Sequence, residues 1–155
     1  MKPLFVLVFT FVISALILKL IYVQVDYQLA ARIAMAIMMV FTAIGHFTYS
    51  KGMAEMIPGF IPLKLTVVYA TGFLEIFLAI GSLLPRFQVI SGWILIVFFV
   101  LILPANIRAA IKHINYQTGE LNGSGLSYLW FRIPLQIIFI LWVYLSSIYD
   151  VKYFE

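Results

Sequence analysis

Long apolar runs broken at near-regular intervals set the pattern of this chain. Five of them, spanning residues 4–24, 28–49, 65–84, 89–111 and 126–149, reach the roughly 20 residues that a helix needs to cross a bilayer core about 30 Å thick. None shows the period-two alternation of a membrane barrel strand, so each run predicts a helix. The connections carry the expected breakers. Asp26 punctuates the first, and Gly52, Pro58, Gly59 and Pro62 mark the second as a longer loop. Pro85 and Arg86 make the third a tight turn, and residues 113–125, with Gly119, Gly123 and Gly125, form the fourth. Only this last loop is long enough to hold a small surface feature.

Composition turns five helices into a membrane protein. Hydrophobic residues are 65% of the 155 and charged residues 10%, with a mean hydropathy of +1.10, so lipid has to be the solvent. The fold class is all-α: a polytopic transmembrane bundle of about five spanning helices, in one body without a linker. The run after Met1 and Lys2 imitates a secretory signal, but it continues too far and lacks a small-x-small cleavage site, so it is expected to span.

The formal charge of +4 is scattered over loops and helix ends, with no basic cluster of the kind nucleic acid requires. It is better read as topology. With the N-terminus cytoplasmic, Lys2, Lys51, Lys64 and Lys112, with Arg108 nearby, fall inside; Arg86 and Lys152 fall outside, offset by Asp26, Asp150 and Glu155. The expectation is a multi-pass protein of a bacterial-type plasma membrane, N-terminus cytoplasmic and C-terminus outside. Lys19, near the outer end of the first helix, runs against that count unless it snorkels. Cysteine is absent, which excludes disulfides, thiolate metal sites and dithiol redox chemistry. Phosphate-cradling glycine loops and serine-nucleophile elbows are missing, and no internal repeat suggests an inverted-repeat carrier.

Ionisable groups at membrane depth are costly, which makes Arg32, His46, Glu75, Arg108 and Arg132, with the amides Asn106 and Gln136, the candidates for function. Helical rise puts Glu75 about 16 Å from the inner end of its helix, Gln136 at a similar level, and Arg132 about 9 Å deep, one turn from Gln136 on the same face. His46 and Asn106 fall roughly level with Arg132. Glu75, Arg132, Gln136, Asn106 and His46 therefore form one expected polar cluster, for ligand binding or for structure. Thr71, Gly72, Ala79 and Ser82 share the side of Glu75 at helical spacing, an inward face of small residues. Pro104 and Pro134 each remove a helix donor beside that region.

Each candidate has a plainer reading. A Glu and an Arg in one bundle are equally a structural ion pair. His46, near a helix end, can reach interfacial water, and Arg108, Lys112 and Arg32 can snorkel or meet headgroups. Trp93, Tyr128, Trp130, Trp142, Tyr144 and Tyr149 read as interfacial belt residues, and Met35, Met38 and Met39 as packing. One Glu, one loop histidine and one near a helix end make no metal set and no bis-histidine haem site.

Gly45-His46-Phe47, the stretch from Met53 to Pro62, Gly72-Phe73-Leu74-Glu75-Ile76, Pro104-Ala105-Asn106-Ile107 and Phe131-Arg132-Ile133-Pro134-Leu135-Gln136 together resemble the DoxX-like small membrane proteins, over about residues 32–144. The resemblance implies a four-helix core in residues 27–155, with residues 1–26 as an additional N-terminal helix. It implies no transferable catalytic set, since relatives range from quinone-linked sulfur oxidation and oxidative-stress complexes to assembly chaperones. Three functions compete. The first is a non-enzymatic accessory subunit or assembly factor, with a membrane-protein partner or a second copy as its company in the bilayer. The second is binding of a quinone or other apolar molecule, with Arg132, Gln136 and His46 as donors and Glu75 as proton carrier. Proton-coupled transport ranks last. No resident cofactor is expected, quinone being the candidate only of the second reading, and no stand-alone enzyme.

Overall fold

The structure is a computed structural model that describes residues 2–22 and 24–149. Its helices are α1 (Lys2–Ile21), α2 (Tyr27–Thr48), α3 (Ser50–Met56), α4 (Lys64–Leu83), α5 (Gln88–Leu101), α6 (Leu103–Ile111) and α7 (Leu126–Val143), the last continued by a π-helical turn, Tyr144–Ile148. The five helices long and apolar enough to cross a membrane are α1, α2, α4, the α5–α6 unit Gln88–Ile111, and α7 with its π turn, Leu126–Ile148. This is the all-helical bundle that the apolar runs predict, with limits displaced by at most three residues. Asp150, Lys152 and Glu155, used above in the charge count, lie outside the described residues.

Local chemistry sets the boundaries. Asp26 caps α2 by accepting a hydrogen bond from Leu29 N at 2.8 Å, which satisfies one of the orphan donors of a helix start. Pro104 sits in the first turn of α6, just past the break at Ile102. Its ring can neither donate to the preceding turn nor fit against it, so the fourth span bends there. Pro134 lies inside α7. Where α7 widens into the π turn, Tyr149 N reaches Tyr144 O at 2.9 Å, and the carbonyl of Ser146 accepts a bond from another helix.

α2, α4, α5–α6 and α7 form a ring in which neighbours pack in that order, and α7 closes back on α2 through its π turn; α1 packs chiefly on the outside of α2. Lipid supplies no hydrophobic drive between helices, so close fit and small residues have to do the holding. α2 accordingly buries Ala30, Ala34, Ala36 and Ala43 together with Met35, Met38 and Met39. Of these, Ala34, Ala36 and the three methionines meet Leu7 of α1, Leu78 and Ala79 of α4, Leu95, Phe98 and Phe99 of α5 and Leu135, Phe139 and Val143 of α7 in one core. The methionines are packing, as expected.

The second connection departs from expectation. Residues 50–56 form α3 rather than open loop, because they are held against the fourth loop. Gly52 lies directly against the Tyr116 carbonyl, where no Cβ fits. The Tyr49 and Tyr116 rings meet edge to face, 6.0 Å between centroids. That fourth loop is ordered by its own bonds: Asn115 N to Glu120 O at 2.8 Å, Gly119 N to Asn115 O at 2.7 Å and Gly123 N to His113 O at 2.6 Å. α3 and this loop together cap one end of the bundle, the end where α4 and α7 begin.

Candidate functional site

Glu75 faces inward from the middle of α4, on the stripe it shares with Gly72, Ala79 and Ser82, all buried. Gly72 makes the site possible. A Cβ there would lie 3.0 Å from His46 Cβ and 3.3 Å from the Phe47 ring, so its absence lets α4 approach α2 closely at this level. His46 Nε2 then lies 3.5 Å from Glu75 Oε1.

The hydrogen bonds around His46 constrain where protons sit. Thr71 Oγ1 donates its one hydrogen to Val68 O at 2.8 Å. It therefore offers lone pairs to His46 Nδ1 at 3.0 Å, and Val68 O offers another acceptor to the same nitrogen at 3.2 Å. Both neighbours call for a hydrogen on Nδ1. Nε2 is then the ring nitrogen that faces the Glu75 carboxyl. Glu75 is 4% exposed, and its second oxygen, Oε2, is buried with no hydrogen-bond partner among the described residues. A carboxylate so enclosed would be expensive without the histidine proton beside it.

The other expected cluster members go elsewhere. Among the described residues no ion pair joins Glu75 to Arg132. α4 and α7 stand on opposite sides of the ring, and the Arg132 guanidinium lies over the Tyr128 ring instead, 5.0 Å from its centroid. Tyr128 in turn donates to Asn106 Oδ1 at 3.2 Å. Gln136, buried, donates to Phe99 O at 3.1 Å, close to the α5–α6 bend. The five residues thus form a His46–Glu75 pair between α2 and α4, an Arg132–Tyr128–Asn106 group between α6 and α7, and a Gln136 clasp from α7 to α5.

Three other side chains play roles that the pattern of the sequence did not suggest. Arg32 does not reach out to the interface. Its Nη1 donates to Ser146 O at 3.0 Å, and its Nε is buried without a partner among the described residues. Trp142 is no belt residue, since its indole N–H donates to Ala31 O at 3.0 Å and its ring meets Phe11 edge to face at 5.2 Å. Tyr128 likewise faces α6 and not the interface. The carbonyl that Arg32 reaches lies in the π turn, and no pattern in the sequence announces that turn. Trp93 and Trp130, by contrast, are exposed as belt residues should be.

Among the described residues no group of three or more His, Asp or Glu converges as metal ligands would. Two surface hollows flank Arg108 and Lys112 at the capped end, and neither is lined by His46 or Glu75.

A family model described as a domain of unknown function, DUF8561, matches residues 35–147, from within α2 to the π turn after α7. No curated protein and no solved structure matches the chain.

Proposed function

The chain belongs to the DUF8561 family, and we propose that it serves a membrane complex as a non-enzymatic accessory subunit or assembly factor. The observation that carries this reading is how the polar side chains at bilayer depth are used. Gln136 holds Phe99 O, Trp142 holds Ala31 O, Arg32 holds Ser146 O and Tyr128 holds Asn106, so each fastens one helix of the bundle to another. The outward surface is left apolar, with Phe73, Phe77, Ile90 and Val97 all more than half exposed. A bundle closed in this way meets other molecules on its lipid-facing surface. The four-helix ring, with His46, Glu75, Asn106 and Gln136 at interhelical contacts, also supports the DoxX-like likeness. The placement of Lys51, Lys64, Arg108 and Lys112 at the capped end supports a cytoplasmic N-terminus in a bacterial-type plasma membrane.

A second reading rests on Glu75 Oε2, the buried oxygen without a partner. Beside the His46 ring, it suits a small apolar molecule bearing a polar hydrogen-bonding group, a quinone or quinol among them. Mass spectrometry of the protein extracted gently from its native membrane separates the two. A stoichiometric protein partner retained by Glu75→Ala and Arg132→Ala supports the accessory role. A stoichiometric quinone lost in Glu75→Ala, with no protein retained, overturns it in favour of the second.

A further inference from the structure

Pro104, Ile107, Arg108, Ile111 and Lys112 line one hollow on the outside of α6. Their spacing of three and four residues places them on one face of the helix. The face changes character along its length: Pro104, Ile107 and Ile111 are apolar and lie within the fourth span, whereas Arg108 and Lys112 sit at its end, Lys112 just beyond the last spanning residue. Snorkelling alone would let both side chains extend freely into water. Arg108 is held instead. Its Nε donates to the Glu55 carbonyl of α3 at 3.3 Å, and its Nη1 lies beside Gly59. Among the described residues neither Arg108 nor Lys112 takes part in an ion pair. Glu55 lines the second hollow, which the same two cations share with Ile114, Gly119 and Leu121; no acid lines the first.

We propose that the hollow on α6 binds an anionic phospholipid, with the headgroup phosphate between Arg108 and Lys112 and an acyl chain along Pro104, Ile107 and Ile111. The occupant follows from the arrangement. An apolar trough within the span admits a chain and not water, and two unpaired cations at its mouth, one of them pre-positioned by α3, favour a phosphate at the depth where headgroups lie. Docking of α3 orients Arg108, so the capped end of the bundle and the lipid site are built together. The proposal stands apart from the accessory role, since it needs no protein partner.

The test uses the full chain, delipidated in detergent and equilibrated with equal parts of phosphatidylcholine and phosphatidylglycerol, with retained lipid counted by native mass spectrometry. The wild type should keep phosphatidylglycerol preferentially. Each cation near a membrane surface contributes about fivefold to such a preference, so Arg108→Gln/Lys112→Gln should lose about 25-fold. Because Arg108 also holds α3, Lys112→Gln provides a variant that leaves that contact alone, and it should lose about fivefold by itself. Lys51→Gln/Lys64→Gln removes the same charge from the same end, away from the hollow, and should keep the wild-type preference. The proposal fails if the wild type shows no preference, if Lys112→Gln leaves it unchanged, or if the Lys51/Lys64 pair loses as much as the Arg108/Lys112 pair. Tight binding of glycerol phosphate without retained lipid would also overturn it.

Discussion

His46 Nε2 and Glu75 Oε1 face each other at 3.5 Å across the α2–α4 contact, while Thr71 and Val68 hold the opposite nitrogen of the same ring. Among the described residues the pair is the one contact between a basic side chain and a carboxylate. Gly72 stands one turn before Glu75, where a Cβ would crowd His46 Cβ at 3.0 Å, at the level where the two side chains meet.

Glu75→Gln keeps the shape of the side chain and can donate an amide hydrogen to Nε2, whereas Glu75→Ala leaves that nitrogen facing a void. The alanine variant should therefore lose about 1–3 kcal/mol more stability than the glutamine variant. Thermal unfolding in detergent measures the difference, and equal losses would refute hydrogen bonding as the role of this carboxyl. In a double-mutant cycle with His46→Ala the two sites should couple by about 0.5–3 kcal/mol.

Gln136→Leu is a milder change. It removes the clasp from α7 to Phe99 O but preserves side-chain volume, and interhelical hydrogen bonds in membranes average about 0.6 kcal/mol. A loss near that size, read from the unfolding midpoint in detergent, is expected. A loss as large as that of Glu75→Ala would mean that Gln136 belongs to the His46–Glu75 site after all.

The spans were legible in the sequence because bilayer thickness leaves a helix no choice of length, and the apolar runs record that length directly. The inward face of Glu75 was legible for a similar reason: Gly72, Ala79 and Ser82 recur at helical spacing. The partner of Glu75 was not. Helix order around a ring leaves no trace in one sequence, and depth alone made Arg132 as good a partner as His46. α3 was hidden because Gly52 ordinarily argues against a helix. Here Gly52 serves packing against Tyr116 of a loop more than 60 residues later in the chain. Tyr128 and Trp142 misled because an aromatic near a span end suits the interface as well as it suits a carbonyl of the neighbouring helix.

Gly52 and Gly45 should respond in opposite ways to the same substitution. At Gly52 a Cβ collides with the Tyr116 backbone, which cannot turn aside, whereas at Gly45 the nearest atom is the flexible Met53 Cε at 3.8 Å. Gly52→Ala should therefore detach the fourth loop from α3 and raise hydrogen exchange across residues 112–125. Gly45→Ala should be neutral, or stabilising by about 0.5–1 kcal/mol through reduced backbone freedom in the unfolded chain. Unchanged exchange in Gly52→Ala would show that the α3–loop contact is loose.

The orientation can be read with thiol reagents, because the natural chain has no cysteine to confuse the result. Thr118 lies exposed in the fourth loop at the capped end, and Arg86 lies exposed in the tight turn at the opposite end. Alternating spans put these positions on opposite sides of the membrane whichever way the bundle is inserted. If positive charge sets the insertion, the capped end, with Lys51, Lys64, Arg108 and Lys112, faces the cytoplasm. In intact cells Arg86→Cys should then react with an impermeant maleimide, and Thr118→Cys should react only after the membrane is opened. The reverse pattern would place the C-terminal end of α7 inside, and would show that Lys19 and Arg86 outweigh the capped-end cations. Labelling of both positions in intact cells would contradict the assignment of the α5–α6 unit, the one span between them, as a crossing.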